Sequence, residues 1–523
     1  MARRLSLPLL LWVSLVSLVC AQDGSISGPT TSSDAAGYSC DPSQCQLPNC
    51  NCASTSPPGG LDPKNTPQFI VFTADDAIQS YTLDSVNQFL AHRKNPNGCV
   101  PRMTYYTSIS YTNYTLVTDF FVAGNEIADH TMTHVGSPPP SEINGNLIAL
   151  NSLAGIPLSS IKGFRAPFLN YTADTLRHLY ETGFMYDSSA SASIPVTVAD
   201  TDAYWPYTLD NGMANDCLMV EGTCKGQLKL PGFWEVPMYA FFDRRGVGGP
   251  HLMDPWLDNP NGGSSLNDSA TLEYMKKTFT DHYNGNRQPI GLYTHPIHLS
   301  RTYPGVNVNI TTINMINSFL DWAQSQENVW IVSTEQLLAW VRNPRSVDQM
   351  GDVEELGKGC SMPDIPADEP ICNGIPQNEE GLLSHCSFAE FPFYTCYGCP
   401  VALPTPDNPN PSQQQGSGSG DVRFRLPSNC STPFWDPIGG QCTCSSSDCA
   451  FQDQSRPIGP GGSDWVGGGT GGGFADDGDD GNGDDGSNFV PFSGAVGLGR
   501  DRLGGMMVGV AVGLVGMGLG EVW

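Results

Sequence analysis

Apolar positions along this chain change their spacing at intervals, and the changes show where strands give way to helices. Phe69-Ile-Val-Phe-Thr73 is a continuous apolar run closed by charged residues, the pattern of a strand covered on both faces. After it, Leu83, Val86, Phe89 and Leu90 recur at helical spacing and predict a helix with one buried face. Further strands are predicted at Arg102–Ser108, Ile161–Arg165, Phe233–Met238, Pro289–Tyr293 and Val329–Val332. Helices are predicted at Thr271–Tyr283, Thr311–Ser325 and Glu335–Arg342, the last with Ser333 or Thr334 as its cap. The alternation from Gln68 to about Arg342 predicts an α/β domain.

The periodicity fails at both ends. Arg3-Arg4, an apolar run from Leu5 to Val19 and Val19-Cys20-Ala21 have the order of a secretory signal peptide, predicted over 1–21. A Ser/Gly/Thr-rich linker (22–37) and a tight cluster of Cys40, Cys45, Cys50 and Cys52 follow, the cluster opening a catalytic unit over 38–345. Residues 346–455 are Cys-, Pro- and Ser-rich with little periodicity, and 456–493 is a Gly/Asp-rich stretch that builds no core and reads as a stalk. Small residues at Ser493-Gly494-Ala495, a polar spacer and a Gly-rich apolar tail match a glycolipid (GPI) anchor signal. Ser493 is the expected attachment site and 494–523 the removed propeptide. The localisation expected is the secretory pathway to the cell surface, on the plasma membrane through a GPI anchor or in a cell wall.

Charge and cysteine usage sharpen this picture. The chain has 25 Lys and Arg against 53 Asp and Glu, a net charge of −28, which excludes nucleic acid as a partner. Removing Cys20 with the signal leaves sixteen of the 17 cysteines, an even number suited to an oxidising compartment. Seven fall in the catalytic unit and nine beyond it. Both counts are odd, so complete pairing requires at least one disulfide between the two regions. Asn-x-Ser/Thr sequons at Asn113, Asn170, Asn267, Asn309 and Asn429 are candidate glycosylation sites.

Four segments carry chemistry. Asp75-Asp76 stand where the first strand ends, the position at which α/β barrels place catalytic side chains. His130 and His134 are four residues apart, a spacing that puts two imidazoles on one side of a helical turn, as two ligands of one metal require. Two histidines with one carboxylate leave coordination positions open for water and substrate, and the remaining carboxylate can act as a base. Arg165 ends another predicted strand and can orient that base. His295, closing Gly291-Leu-Tyr-Thr, is a candidate general acid.

The ordered segments FTADDA (72–77), HTMTH (130–134), RAPF (165–168), YDSS (186–189), PGFWEVP (231–237) and GLYTH (291–295) resemble polysaccharide deacetylases of carbohydrate esterase family 4. CDPSQCQLPNCNC before the first strand, YTNYTLV (111–117) and WPYTLD (205–210) bring the resemblance to the chitin deacetylase branch, over roughly 38–342. The resemblance implies a distorted, incomplete (β/α) barrel, to which the sequence adds a small disulfide-rich C-terminal region. It implies Asp75 as catalytic base, Asp76, His130 and His134 as ligands of a divalent metal, zinc before cobalt, and Arg165 as the residue positioning the base. It further implies Phe168 as an oxyanion contact through its amide, Trp234 as an aromatic lining the acetyl pocket, and His295 as general acid. One departure is Ala74, where the family has Phe before the aspartates; the smaller side chain removes packing behind the site but no chemical group.

The expected activity is metal-dependent removal of N-acetyl groups from chitin, giving chitosan and acetate. Two alternatives stand beside it: action on another acetylated glycan, or a catalytically weak or silent wall protein that binds polysaccharide. Phe391, Phe393, Tyr394, Tyr397, Phe434 and Trp435 in the Cys-rich region either stack on sugar rings or are buried in a disulfide-stapled unit.

Overall fold

The computed structural model describes residue 35 and residues 37–412 except 218, 244–249, 260–262, 265–266, 304–305, 307, 358–359, 361–367 and 380, together with 414, 435–436, 441–442 and 456. The signal, most of the linker, nearly all of the stalk and the anchor signal with Ser493 lie outside the described residues, as does Asn429. Among the described residues no helix is long and apolar enough to cross a membrane.

Nine strands form the main sheet: β1 (Gln68–Asp76), β2 (Thr104–Thr107), β3 (Glu126–Asp129), β4 (Gly163–Phe164), β5 (Tyr186–Asp187), β6 (Tyr207–Leu209), β7 (Leu230–Glu235), β8 (Ile290–Thr294) and β9 (Val329–Val332). The hydrogen-bonded order is β8-β1-β2-β3-β4-β5-β7-β6, with β9 also pairing β1. All pairings are parallel except the one that adds β6 to β7. The parallel strands are joined by crossovers that include α1 (Ser80–Leu90), α2 (Tyr114–Val122), α3 (Pro140–Ala154), α4 (Ala173–Glu181), α5 (Asp268–Asn284) and α6 (Ile310–Gln324), and α7 (Thr334–Arg342) follows β9. This is the expected incomplete α/β barrel. Across the open side, a side chain rather than a ladder makes a link: the Tyr239 amide donates to the Tyr293 hydroxyl at 3.1 Å.

Burial explains why β1 reads as a continuous apolar run. Ile70, Phe72 and Ala74 belong to the large cluster under the helices, whereas Phe69 and Val71 join Tyr106, Tyr186, Trp234, Tyr293 and Trp330 in a second cluster inside the barrel. The two-residue alternation is intact, but both faces are buried and it leaves no polar trace. Gly163 is required by the inner packing, because a Cβ there would stand 2.0 Å from the Tyr186 ring.

The predicted strand over Phe233–Met238 is interrupted. β7 stops at Glu235, and Met238–Tyr239 pairs instead with Ser191–Ala192, since Pro237 has no amide to continue the ladder. Ser333 caps α7 by accepting from the Gln336 amide. The short strands β3, β5 and β6 and the helices α2, α3 and α4 were not anticipated. α3 is buried along most of its length and so lacks a polar stripe.

Among the described residues, six disulfides join Cys40–Cys52, Cys45–Cys50, Cys99–Cys360, Cys217–Cys224, Cys372–Cys396 and Cys386–Cys399. Cys99–Cys360 is the bridge between regions that the odd counts require. Part of the Cys-rich region packs directly on the barrel helices. The pair Ser384–Cys386 and Phe393–Thr395 lies on α2, with the Phe393 ring edge-on to Tyr114 at 4.8 Å and Phe391 edge-on to Tyr111 at 5.3 Å. Phe393 is therefore core, Tyr397 packs beside the Cys372–Cys396 bridge, and Tyr394 stays exposed. The side chains of Phe434 and Trp435 lie outside the described residues.

Candidate functional site

The C-terminal ends of the parallel strands converge on one group of polar side chains. Asp75 and Asp76 close β1, His130 follows β3, Arg165 follows β4, and His295 follows β8. In an extended strand, adjacent side chains point to opposite faces. Asp76 escapes this rule through a left-handed backbone, φ 85°, and both carboxylates reach the same site.

Asp76 Oδ1 lies 3.1 Å from His134 Nε2 and 3.7 Å from His130 Nε2. His130 Nδ1 donates to the Arg165 carbonyl at 2.7 Å, which leaves Nε2 without a proton and directed at Asp76. The three side chains each offer a ligating atom within 4.8 Å of the others. Burial, followed by the neighbouring His134, pushes His130 down to about 3, so it is neutral as a ligand must be. For Asp76, burial acts upward, yet the hydrogen bond with His134 and the nearby histidines hold it below the usual carboxylate range. This donor set fits a divalent cation of zinc type.

The two histidines are not on a helix, contrary to the expectation from their spacing. The segment after β3 is irregular, with left-handed residues at Thr131 (φ 62°) and His134 (φ 61°). Thr131 is held by Asp129 through its amide, and Glu142 of α3 accepts from both the amide and the hydroxyl of Thr133. A clamped turn brings the imidazoles together where a helical turn was predicted.

Asp75 is 2 % exposed and accepts from Arg165 Nη1 at 2.7 Å. Burial pushes the Asp75 carboxyl up, above the usual carboxylate range, against the opposing pull of Arg165 and His295. Arg165 is fully buried, donates also to Thr73 Oγ1 at 2.8 Å, and lies over the Tyr106 ring at 4.0 Å. Its other nitrogens bond Ser188, Nε to the carbonyl at 3.0 Å and Nη2 to the hydroxyl at 3.3 Å.

Behind Ser188 stands a pair that the sequence did not single out. Asp187 and Glu235 are register partners on β5 and β7, both buried. Asp187 accepts from the amide and hydroxyl of Ser189, whose hydroxyl in turn accepts from the Ala166 amide beside Arg165. Burial pushes Asp187 up to about 6, and burial together with Asp187 raises Glu235 well above its usual range. One proton shared between them satisfies both. Glu235→Gln, which keeps a donor toward Asp187, is expected to leave stability nearly unchanged. Glu235→Leu strands the Asp187 carboxylate and should cost roughly 1–3 kcal/mol; urea unfolding of both variants checks this.

His295 is held by Asp254, also unforeseen. Nδ1 lies 2.6 Å from Asp254 Oδ2, and the His295 amide donates to Oδ1 at 3.0 Å. Burial acts to lower the imidazole, but Asp254 overrides it and pushes the ring up to about 10. Nothing in the spacing of Asp254 marked it. It lies 41 residues before its partner in an aperiodic stretch.

Phe168 is 63 % exposed, with its ring edge-on to His134 at 4.7 Å and a left-handed backbone, φ 59°. The turn around it is closed by the Leu169 and Asn170 amides rather than its own. Trp234 is 2 % exposed, inside the barrel among Tyr106, Tyr186 and Tyr293. Ala74 is fully buried on the helix-facing side of β1, away from Asp75. The sequons at Asn170, Asn267 and Asn309 are exposed and that at Asn113 half-buried; Asn267 and Asn309 cap α5 and α6 by accepting from the Ala270 and Thr311 amides, whereas Asn113 opens α2 and accepts from the Tyr394 amide instead.

No family model matches the chain. It is similar to chitin deacetylase 8 of Bombyx mori, 30% identical over 322 residues that cover 59% of this chain and 80% of that protein. It is 29% identical over 396 residues to chitin deacetylase 1 of Bombyx mori, covering 71% of this chain and 68% of that one. Among solved structures, the chitin deacetylase of the fungal pathogen Colletotrichum lindemuthianum is similar with a TM-score of 0.25 and 12% identity, over 52% of this chain and 88% of that one.

Proposed function

This chain belongs to the chitin deacetylase family, and from that premise we propose that it hydrolyses the N-acetyl groups of chitin to give chitosan and acetate. The observation that carries the reading is the convergence of an Asp–His–His ligand set, a buried Asp–Arg pair and an Asp-backed histidine at one end of the barrel.

Asp76, His130 and His134 hold the divalent ion, zinc in preference to cobalt. When bound, it supplies Lewis acidity toward the acetamide carbonyl and the attacking water. Asp75 takes the proton of that water as it attacks, and Arg165 fixes which oxygen faces it by occupying Oδ1. The Phe168 amide, outside the bonds that close its turn, donates to the oxyanion that develops on the carbonyl. His295, kept protonated by Asp254, gives its proton to the departing amine. Trp234 lines the floor on which the acetyl methyl rests. Ala74 leaves this machinery untouched, because its missing ring volume lies under the helices.

The protein works at the cell surface or wall after secretion, anchored through Ser493, with the exposed sequons glycosylated. The six disulfides among the described residues support an oxidising compartment. Acetate release from chitin oligomers by the full-length secreted chain, with zinc and with a chelator, tests the activity. Release that zinc restores after chelation is expected. No release from chitin or other acetylated glycans by the metal-loaded protein would replace this reading with a polysaccharide-binding role.

A further inference from the structure

A second group of ligating side chains lies beside the first. Asp254, His295 and His298 each present a ligating atom within 4.8 Å of the other two. Asp254 is anchored by its amide to the Tyr293 carbonyl, and its Oδ1 accepts from both Thr294 Oγ1 and the His295 amide. Its Oδ2 meets His295 Nδ1. His298 stands on the single helical turn Pro296–Leu299, edge-on to the His295 ring at 5.8 Å. Among the described residues no hydrogen bond commits the His298 ring elsewhere. Asp254 is buried and both imidazoles are half-buried, so the group opens toward solvent on the histidine side.

We propose that Asp254, His295 and His298 form a second divalent-cation site, of zinc type, weaker than the first and inhibitory when filled. One carboxylate and two imidazoles are the ligand chemistry of zinc. The site is weaker for three reasons. Tetrahedral bonds of about 2.1 Å need ligand atoms roughly 3.4 Å apart, so the His298 side chain must close in. The ion must also compete with the proton that His295 shares with Asp254, and with the charge of an ion at Asp76. Once bound on Nδ1, it takes the place of the proton that makes His295 an imidazolium, and the ring could then protonate the leaving amine from Nε2 only by becoming an imidazolate. The inhibition rests on the proposed function; the binding does not.

The test is equilibrium dialysis of the chelator-stripped full-length chain against zinc alone. Two equivalents are expected in the native chain, the tighter one lost in Asp76→Ala and the weaker one lost in His298→Ala. The retained tight equivalent shows that His298→Ala is folded. Each protein is then assayed at one equivalent and in excess zinc. The native rate should fall by at least about tenfold and the His298→Ala rate by less than about twofold, each against its own value. A single equivalent in the native chain, or a second that survives His298→Ala, overturns the site. Two equivalents with an unchanged rate in excess zinc overturn the inhibition. Two equivalents with no acetate release at any zinc level uphold the site and defeat the deacetylase reading instead.

Discussion

Asp75→Asn should bind zinc as the native chain does and release acetate roughly 10²–10⁴-fold more slowly, the usual contribution of a general base. The substitution is nearly isosteric. The amide oxygen can still accept from Arg165 Nη1, as Asp75 Oδ1 does now at 2.7 Å, so the guanidinium stays in place. Asp76, His130 and His134 are untouched. What is lost is the lone pair that takes a proton from water. Zinc content by atomic absorption and acetate release on the same sample separate the two effects. Full turnover with full zinc would remove Asp75 from the role of base, and loss of zinc would make it a ligand.

The barrel was legible because its strands bury both faces and so stand out as apolar runs: β8 and β9 fall within a residue of the expected bounds, and β1 runs three residues past its expected end to take in both aspartates. Helices with one wet face, such as α1 and α7, were equally clear. α3 was not, because it is covered almost all round. At the site, the identities of the groups could be read while their geometry could not. Strand alternation would send Asp75 and Asp76 to opposite faces, and only the left-handed Asp76 brings them together. The four-residue spacing of His130 and His134 suggested a helix, whereas Glu142 and Asp129 hold a turn with the same outcome. Asp187 and Glu235 lie within segments that carried the family resemblance, yet their chemistry appears only when β5 and β7 are side by side. Asp254 had no local signal at all, since its function exists only through a contact with His295.

That contact makes the second large prediction one of pH. Asp254→Asn should move the basic limb of the rate profile to lower pH by roughly 1–3 units, the effect of removing one adjacent opposite charge. Asp254 Oδ2 now meets His295 Nδ1 at 2.6 Å. An amide nitrogen in that place would oppose a protonated Nδ1, and the neutral ring would be favoured. The general acid must carry its proton, so activity is lost as pH rises through the histidine's value, and lowering that value brings the loss earlier. The acidic limb, which the proposed function assigns to Asp75, should move less. Stability gives an independent check with a definite sign. His295 is raised from its ordinary value to about 10, so the pair's stabilisation is full below the unfolded value of about 6.5 and lost as pH rises through the folded one. The melting temperatures of native and Asp254→Asn protein should therefore differ most at acidic and neutral pH and converge in strong alkali. A zinc ion bound at Asp76 lowers the upper boundary of that window by repulsion but leaves its direction unchanged. A rate that falls equally at every pH, with the basic limb in place, would reduce Asp254 to a structural support and leave His295 to hold its proton by other means.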